Sequence, residues 1–179
     1  MTRRAFAALA LLALGMPAFA AAPACRATAY LTFDTGSQSQ AELIAATLKR
    51  HAIKATFFLA NEKTVRGDWS LDPSWSAYWT ARVAEGHAIG THTFDHVYWQ
   101  RDLPHGAMLV KPQFGANGGK KVTMDAAAYC AELRRVDTRF VELTGHHIDP
   151  VWRAPHVGGA IFVCRCHAAA FARPASGGL

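Results

Sequence analysis

Two imidazoles four residues apart, in the run His92-Thr93-Phe94-Asp95-His96, are the part of this sequence best suited to hold a divalent metal. On a helical turn such a pair grips one cation and leaves positions open for water and substrate, as metal-assisted hydrolysis requires. The spacing alone is weak evidence in a chain with nine histidines. Hydrolysis of an amide needs an activated water, a base, stabilisation of the oxyanion and an acid for the leaving amine. Candidates for the first three are present, with Asp34 in Thr32-Phe33-Asp34-Thr35-Gly36 and Arg153 in Arg153-Ala154-Pro155 beside the histidine pair. Taken singly, Asp34 before Gly36 reads as a turn after a strand, and Arg153 as a surface arginine. His87, His105, His146 and His147 read as solvated, and Asp95 as either a support to the histidines or a helix-start carboxylate.

The elements that must position these residues alternate between strand and helix. Residues 27–33 are β-prone and end at Asp34 and Gly36, which predicts a buried strand with Asp34 at its C-terminal end. Residues 40–50 carry Ala41, Ile44, Ala45 and Leu48 at helical spacing, and residues 55–59 follow as a second buried strand. A strand, a helix and a strand in this order predict a parallel pair. Trp75, Trp79 and Val83 recur every four residues behind Pro73, Gly86 stops that helix, and residues 88–91 form a third strand that delivers His92. The aromatic group of Trp75, Tyr78 and Trp79 reads as core rather than as a sugar platform. Residues 97–122 show no clear period and predict a long functional loop on the rim of a site. Asp125 caps a helix whose apolar stripe is Tyr129, Leu133, Val136, Phe140 and Leu143, Gly145 ends it, and residues 151–153 resume as a strand before Pro155. Repeated βα units of this kind form an open doubly wound sheet or a barrel, and in both the site gathers at the strand C-terminal ends.

A chain of 179 residues, about half of them apolar, has room for one core. Arg3 and Arg4, an Ala- and Leu-rich stretch and the small residues before Pro23 predict a signal peptide over 1–22, hence export to the periplasm or beyond and no stable membrane span after its removal. In an oxidising compartment Cys25, Cys130, Cys164 and Cys166 have three possible pairings, and the sequence does not choose among them. The formal charge of +6 comes from scattered basic residues, two of them in the leader, which argues against a nucleic-acid partner.

Three segments occur in a telling order: Thr32-Phe33-Asp34-Thr35-Gly36, then the stretch from Gly86 to His96, then Arg153-Ala154-Pro155. Together they resemble the first three motifs of the polysaccharide deacetylase family, also called the NodB-homology family or carbohydrate esterase family four. The likeness runs over about 27–155 and includes Lys54-Ala55-Thr56-Phe57-Phe58-Leu59 as the second strand. It implies an α/β fold, a distorted (β/α) barrel, incomplete here at the C-terminus, with the domain over 23–156. It also implies a hydrolase that removes N-acetyl or related N-acyl groups from a carbohydrate with the help of a divalent metal. Asp34 then matches the catalytic base, His92 and His96 the metal-binding histidines, and Arg153 the residue that orients the base. These roles agree with the chemistry of the groups, because a carboxylate held by a guanidinium stays ionised. Zinc is the default metal for an imidazole site.

The chain departs from the family pattern in three places. Thr35 stands where a second aspartate usually ligates the metal, and a hydroxyl is a poorer ligand. The reading favoured here is that water or Asp34 takes that position; the alternatives are weaker metal binding, or a protein that binds sugar without catalysis. His156 replaces an aromatic residue after the third motif, and its backbone N–H remains available to an oxyanion. Residues 157–179 do not resemble the family and lack its later acidic and Leu-x-His motifs, which reads as a frameshift or early end near 155–159, with little activity expected of the chain as it stands. A small metal site at Cys164, Cys166 and His167 has no usual zinc spacing.

Overall fold

A computed structural model describes residues 29–155. The expected signal peptide and the atypical tail, with Cys25, His156, Cys164, Cys166 and His167, lie outside the described residues. Three parallel strands, β1 (Thr32–Asp34), β2 (Thr56–Leu59) and β3 (Ala88–Thr91), lie side by side in that order. Phe57, Phe58 and Leu59 are all buried, because the central strand of a parallel sheet is covered on both faces and reads as an unbroken apolar run. The arrangement of strands and helices is α/β, and among the described residues the parallel sheet has three strands.

The first strand is shorter and more exposed than the run 27–33 suggests. Its ladder with β2 begins at the pair Thr32 and Thr56, and ahead of that pair Tyr30 is 85% exposed. The expected strand at 151–153 is reduced to one parallel bridge between Trp152 and Thr91. Val151 accepts from the Thr91 N–H at 3.1 Å and Arg153 donates to the Thr91 carbonyl at 3.0 Å, between Pro150 and Pro155, neither of which can extend the ladder as a donor.

Helix α1 (Ala41–Arg50) buries Ala41, Ala45 and Leu48, one face at helical spacing. Helix α2 (Ser76–Ala84) follows a 3₁₀ turn over Pro73–Trp75 with proline at its start, where a missing N–H costs nothing. Trp75 and Trp79 are fully buried core residues, as their spacing indicates. The Trp79 indole donates to the Ser70 carbonyl at 2.8 Å and the Tyr78 hydroxyl to the Ala41 carbonyl at 3.2 Å, so neither polar edge is left unpaired.

Helix α3 (Ala126–Thr144) begins and ends where its sequence signals lie. The Asp125 side chain accepts from the Ala128 N–H at 2.8 Å, and Gly145 adopts φ 74°, a left-handed turn that glycine reaches without steric cost. Its apolar stripe serves two cores. Val136 and Phe140 join Leu59, Trp75, Trp79 and Ile89 over the parallel sheet. Tyr129, Cys130 and Leu133 pack with Val97, Met108 and Val110. Cys130 is disulfide-bonded, and the other cysteines lie outside the described residues.

That second core corrects the expectation of an irregular loop over 97–122. The segment forms an antiparallel sheet of β4 (Val97–Asp102), β5 (Met108–Pro112) and β6 (Val122–Met124). Met108, Val110 and Pro112 are buried and alternate with half-buried Leu109 and Lys111, a period of two. The run is too short to stand out between the turn residues Pro104-His105-Gly106 on one side and Gly115 to Gly119 on the other.

Gly90 is a point of close approach between β3 and the segment carrying Arg153. A Cβ there would lie 2.7 Å from the Val151 carbonyl oxygen and 2.9 Å from the Phe58 ring. Gly90→Ala is therefore expected to destabilise the fold by ~1–3 kcal/mol, the usual cost of overpacking. Urea denaturation checks this; a change within about 0.5 kcal/mol, the scale of an indifferent surface substitution, would show that the backbone gives way freely.

Candidate functional site

Asp34 is the last residue of β1 and Arg153 the first after the Trp152 bridge, so the parallel register brings together two side chains 119 positions apart. Arg153 donates through Nη1 to Asp34 Oδ1 at 2.9 Å and through Nη2 to Thr32 Oγ1 at 2.6 Å. Its guanidinium lies 4.4 Å from the Phe58 ring centre. Two planar donors and a ring face hold the guanidinium in one orientation, and through it the carboxylate.

His92 follows β3 directly and is buried. Its backbone N–H donates to the Leu59 carbonyl at 2.7 Å, and its Nδ1 lies 2.8 Å from the Arg153 carbonyl. A carbonyl only accepts, so Nδ1 carries the proton and Nε2 keeps a lone pair, facing Asp34 Oδ2 at 3.9 Å. Burial lowers the His92 pKa, opposed by the Asp34 charge.

His96 joins His92 through a turn that is not helical, contrary to the reading of the histidine spacing. Thr93 has φ 64° and His96 φ 51°, both left-handed, and the ring centres lie 4.9 Å apart. The turn is held from α3: Glu132 accepts the Asp95 N–H at 2.9 Å through its carboxylate and the Phe94 N–H at 3.3 Å through its carbonyl. Asp95 pairs with Arg135 at 2.9 Å, so it ties the turn to α3 and starts no helix. Burial, with the His92 charge adding to it, pushes the His96 pKa down to about 4. Both imidazoles are therefore neutral at neutral pH, the state in which a ring nitrogen can ligate a metal.

Glu62 is the residue that sequence reasoning missed. It lies three positions beyond the end of β2, its side chain 9% exposed, with Oε1 3.3 Å from His96 Nδ1. Burial pushes its carboxyl up to about 7, the Thr35 hydroxyl opposing and the Asp34 charge adding. The signal that finds it is the rule already applied to Asp34 and His92: polar residues just past a strand C-terminus gather at the site. Thr35 sits nearby, but its hydroxyl is engaged by the backbone of Ala60, accepting from the N–H at 2.8 Å and donating to the carbonyl at 3.2 Å.

Among the described residues, no three His, Cys, Asp or Glu side chains already converge as a metal site. The donor set nevertheless fits one: two neutral imidazoles, and carboxylates at Asp34 and Glu62, the latter with a buried Oε2 that has no hydrogen-bond partner. A cavity of about 610 Å³ lined by His87, Ile89, His146, His147 and Asp149 opens at the opposite end of β3 and contains none of these groups. His87 is buried there rather than solvated, its Nδ1 accepting the Ala55 N–H at 3.1 Å. His105, His146 and His147 are exposed.

Comparison with known proteins points in one direction. A family model described as polysaccharide deacetylase matches residues 21–160. A chitin deacetylase of Pestalotiopsis is 27% identical over 115 residues, which is 64% of this chain and 30% of that protein. Peptidoglycan-N-acetylglucosamine deacetylase PgdA of Listeria monocytogenes is 36% identical over 67 residues, 37% of this chain and 13% of that protein. The chain thus spans less than a third of the length of these curated relatives. A solved chitin deacetylase from the fungal pathogen Colletotrichum lindemuthianum superposes with a TM-score of 0.49 at 21% identity, over 70% of this chain and 44% of that one. The family match covers most of the sequence and takes in Asp34, His92, His96 and Arg153 together, and on that basis the chain belongs to the polysaccharide deacetylase family.

Proposed function

We propose that this chain carries a metal-dependent hydrolase site that removes N-acetyl groups from a polysaccharide or related sugar, in a protein exported through the leader read at 1–22. The observation that carries this reading is the Asp34–Arg153 pair at 2.9 Å set beside two neutral imidazoles, His92 buried and His96 partly buried. Among the described residues no helix is long and apolar enough to cross a membrane.

His92 and His96 would hold the cation, for which zinc is the default with imidazole ligands. When bound, the cation lowers the pKa of water and polarises the acyl oxygen. Asp34, held through Oδ1 by Arg153, keeps Oδ2 on the His92 side and takes the proton of the attacking water as its oxygen bonds to the acyl carbon. Breaking the C–N bond returns a proton to the nitrogen, giving acetate and a free amine. Arg153 does no proton transfer; it fixes the base and, through its backbone carbonyl, the His92 tautomer.

Elemental analysis after gel filtration is expected to find about one divalent ion per chain, the stoichiometry of a mononuclear site, lost in His92→Ala. Equal metal content in wild type and the His92→Ala/His96→Ala variant would remove the site from consideration. A second reading, sugar binding without catalysis, draws on Thr35, whose hydroxyl is turned to the Ala60 backbone. Binding of N-acetylglucosamine oligomers with no acetate released, with or without chelator, would select it.

A further inference from the structure

We infer that Glu62 is the anionic ligand of the cation site, supplying from the end of β2 the carboxylate that Thr35 lacks; this rests on the metal-dependent reading above. Three observations carry it. The Glu62 side chain is nine-tenths buried, and a buried carboxylate is costly unless a cation or a full set of donors compensates it. Its Oε2 is buried and has no hydrogen-bond partner. Its Oε1 stands 3.3 Å from His96 Nδ1. Two atoms bound to one zinc at about 2.0–2.1 Å in tetrahedral geometry lie roughly that far apart.

The cluster is built from three strand ends. Asp34 comes from β1, Glu62 from beyond β2, and His92 and His96 from beyond β3. With Asp34 Oδ1 committed to Arg153, Glu62 is the carboxylate free of any cationic side chain. It would give the cation one anionic and two neutral ligands and leave Asp34 to act as base. A mononuclear site of two histidines and one glutamate with an open position is a set that supports hydrolysis.

The test measures Zn²⁺ affinity of the full chain by competition with a chromophoric chelator, with folding followed by circular dichroism. Glu62→Gln keeps an oxygen that accepts a hydrogen bond from His96 but removes the charged ligand. The expected result is a loss of affinity greater than ~100-fold, beyond the 10–100-fold that loss of a mere supporting hydrogen bond costs. A smaller loss overturns the proposal and leaves Glu62 as a hydrogen-bond partner of His96. Should Glu62→Gln not fold, Glu62→Asp withdraws the carboxylate by one methylene and is judged by the same threshold. Zinc bound by wild type, lost in His92→Ala and kept in Glu62→Gln defeats this inference alone. Wild type that binds no zinc defeats the metal-dependent reading with it.

Discussion

Asp34→Asn is expected to lower kcat for acetate release from N-acetylated glucosamine oligomers by ~10²–10⁴-fold, the range over which a positioned general base contributes. The substitution is close to isosteric, and the amide oxygen can still accept from Arg153 Nη1, which now donates to Oδ1 at 2.9 Å. The positions of Arg153 and His92 are therefore retained, and the loss falls on proton transfer. KM and zinc content are expected to stay near the parent values, because the cation is assigned to His92, His96 and Glu62. Acetate release with saturating substrate, with metal analysis of the same samples, checks both parts. An Asp34→Asn protein as active as its parent would sink the mechanism. Loss of zinc along with activity would place Asp34 among the ligands and another group in the role of base.

Phe140→Ala is expected to cost ~3–5 kcal/mol of stability, the range for removing a buried phenylalanine. That is a large share of the ~5–15 kcal/mol that holds a typical domain. Phe140 is fully buried and belongs to the core shared by α3, β2, β3 and α2. The effect reaches the site, because the same helix carries Glu132, which holds the turn between His92 and His96. Urea denaturation followed by tryptophan fluorescence measures it, with Trp75 and Trp79 in that core as reporters. A loss below about 1 kcal/mol, less than even an Ile→Val trim often costs, would mean that α3 does not pack on the sheet through this residue.

Local signals account for much of the frame. The Asp125 cap, the stripe from Tyr129 to Phe140 and Gly145 are all within one helix, and helix and strand periods need no distant partner to be recognised. The same holds for β2, whose four apolar or β-prone residues end three positions before Glu62. Asp34, His92 and Arg153 all fall at strand C-terminal ends, and the order of the three motifs that carry them singled them out as candidates.

Other features depend on contacts that no window of sequence contains. His87 and His105 both read as solvated in sequence, yet His87 is buried, its ring accepting the Ala55 N–H from the residue just before β2. Asp95 sits in a promising motif, but its partner Arg135 lies on α3, 40 positions away. The antiparallel sheet is held by a core whose other half is Tyr129, Cys130 and Leu133, so its short alternating runs gain their apolar partners only after the chain folds back.

The elements of the parallel sheet and the helix limits were therefore legible in the sequence through residue type and spacing along single segments, and Asp34, His92, His96 and Arg153 became candidates through the order of three motifs. Tertiary structure alone decided that the histidine turn is non-helical and anchored to Glu132, and that Glu62 faces His96. The physical reason is that burial and pairing of polar groups are set by which segments meet. Water satisfies a carboxylate wherever it is exposed, so Glu62 becomes distinctive only when the strands close over it and leave one oxygen without a partner.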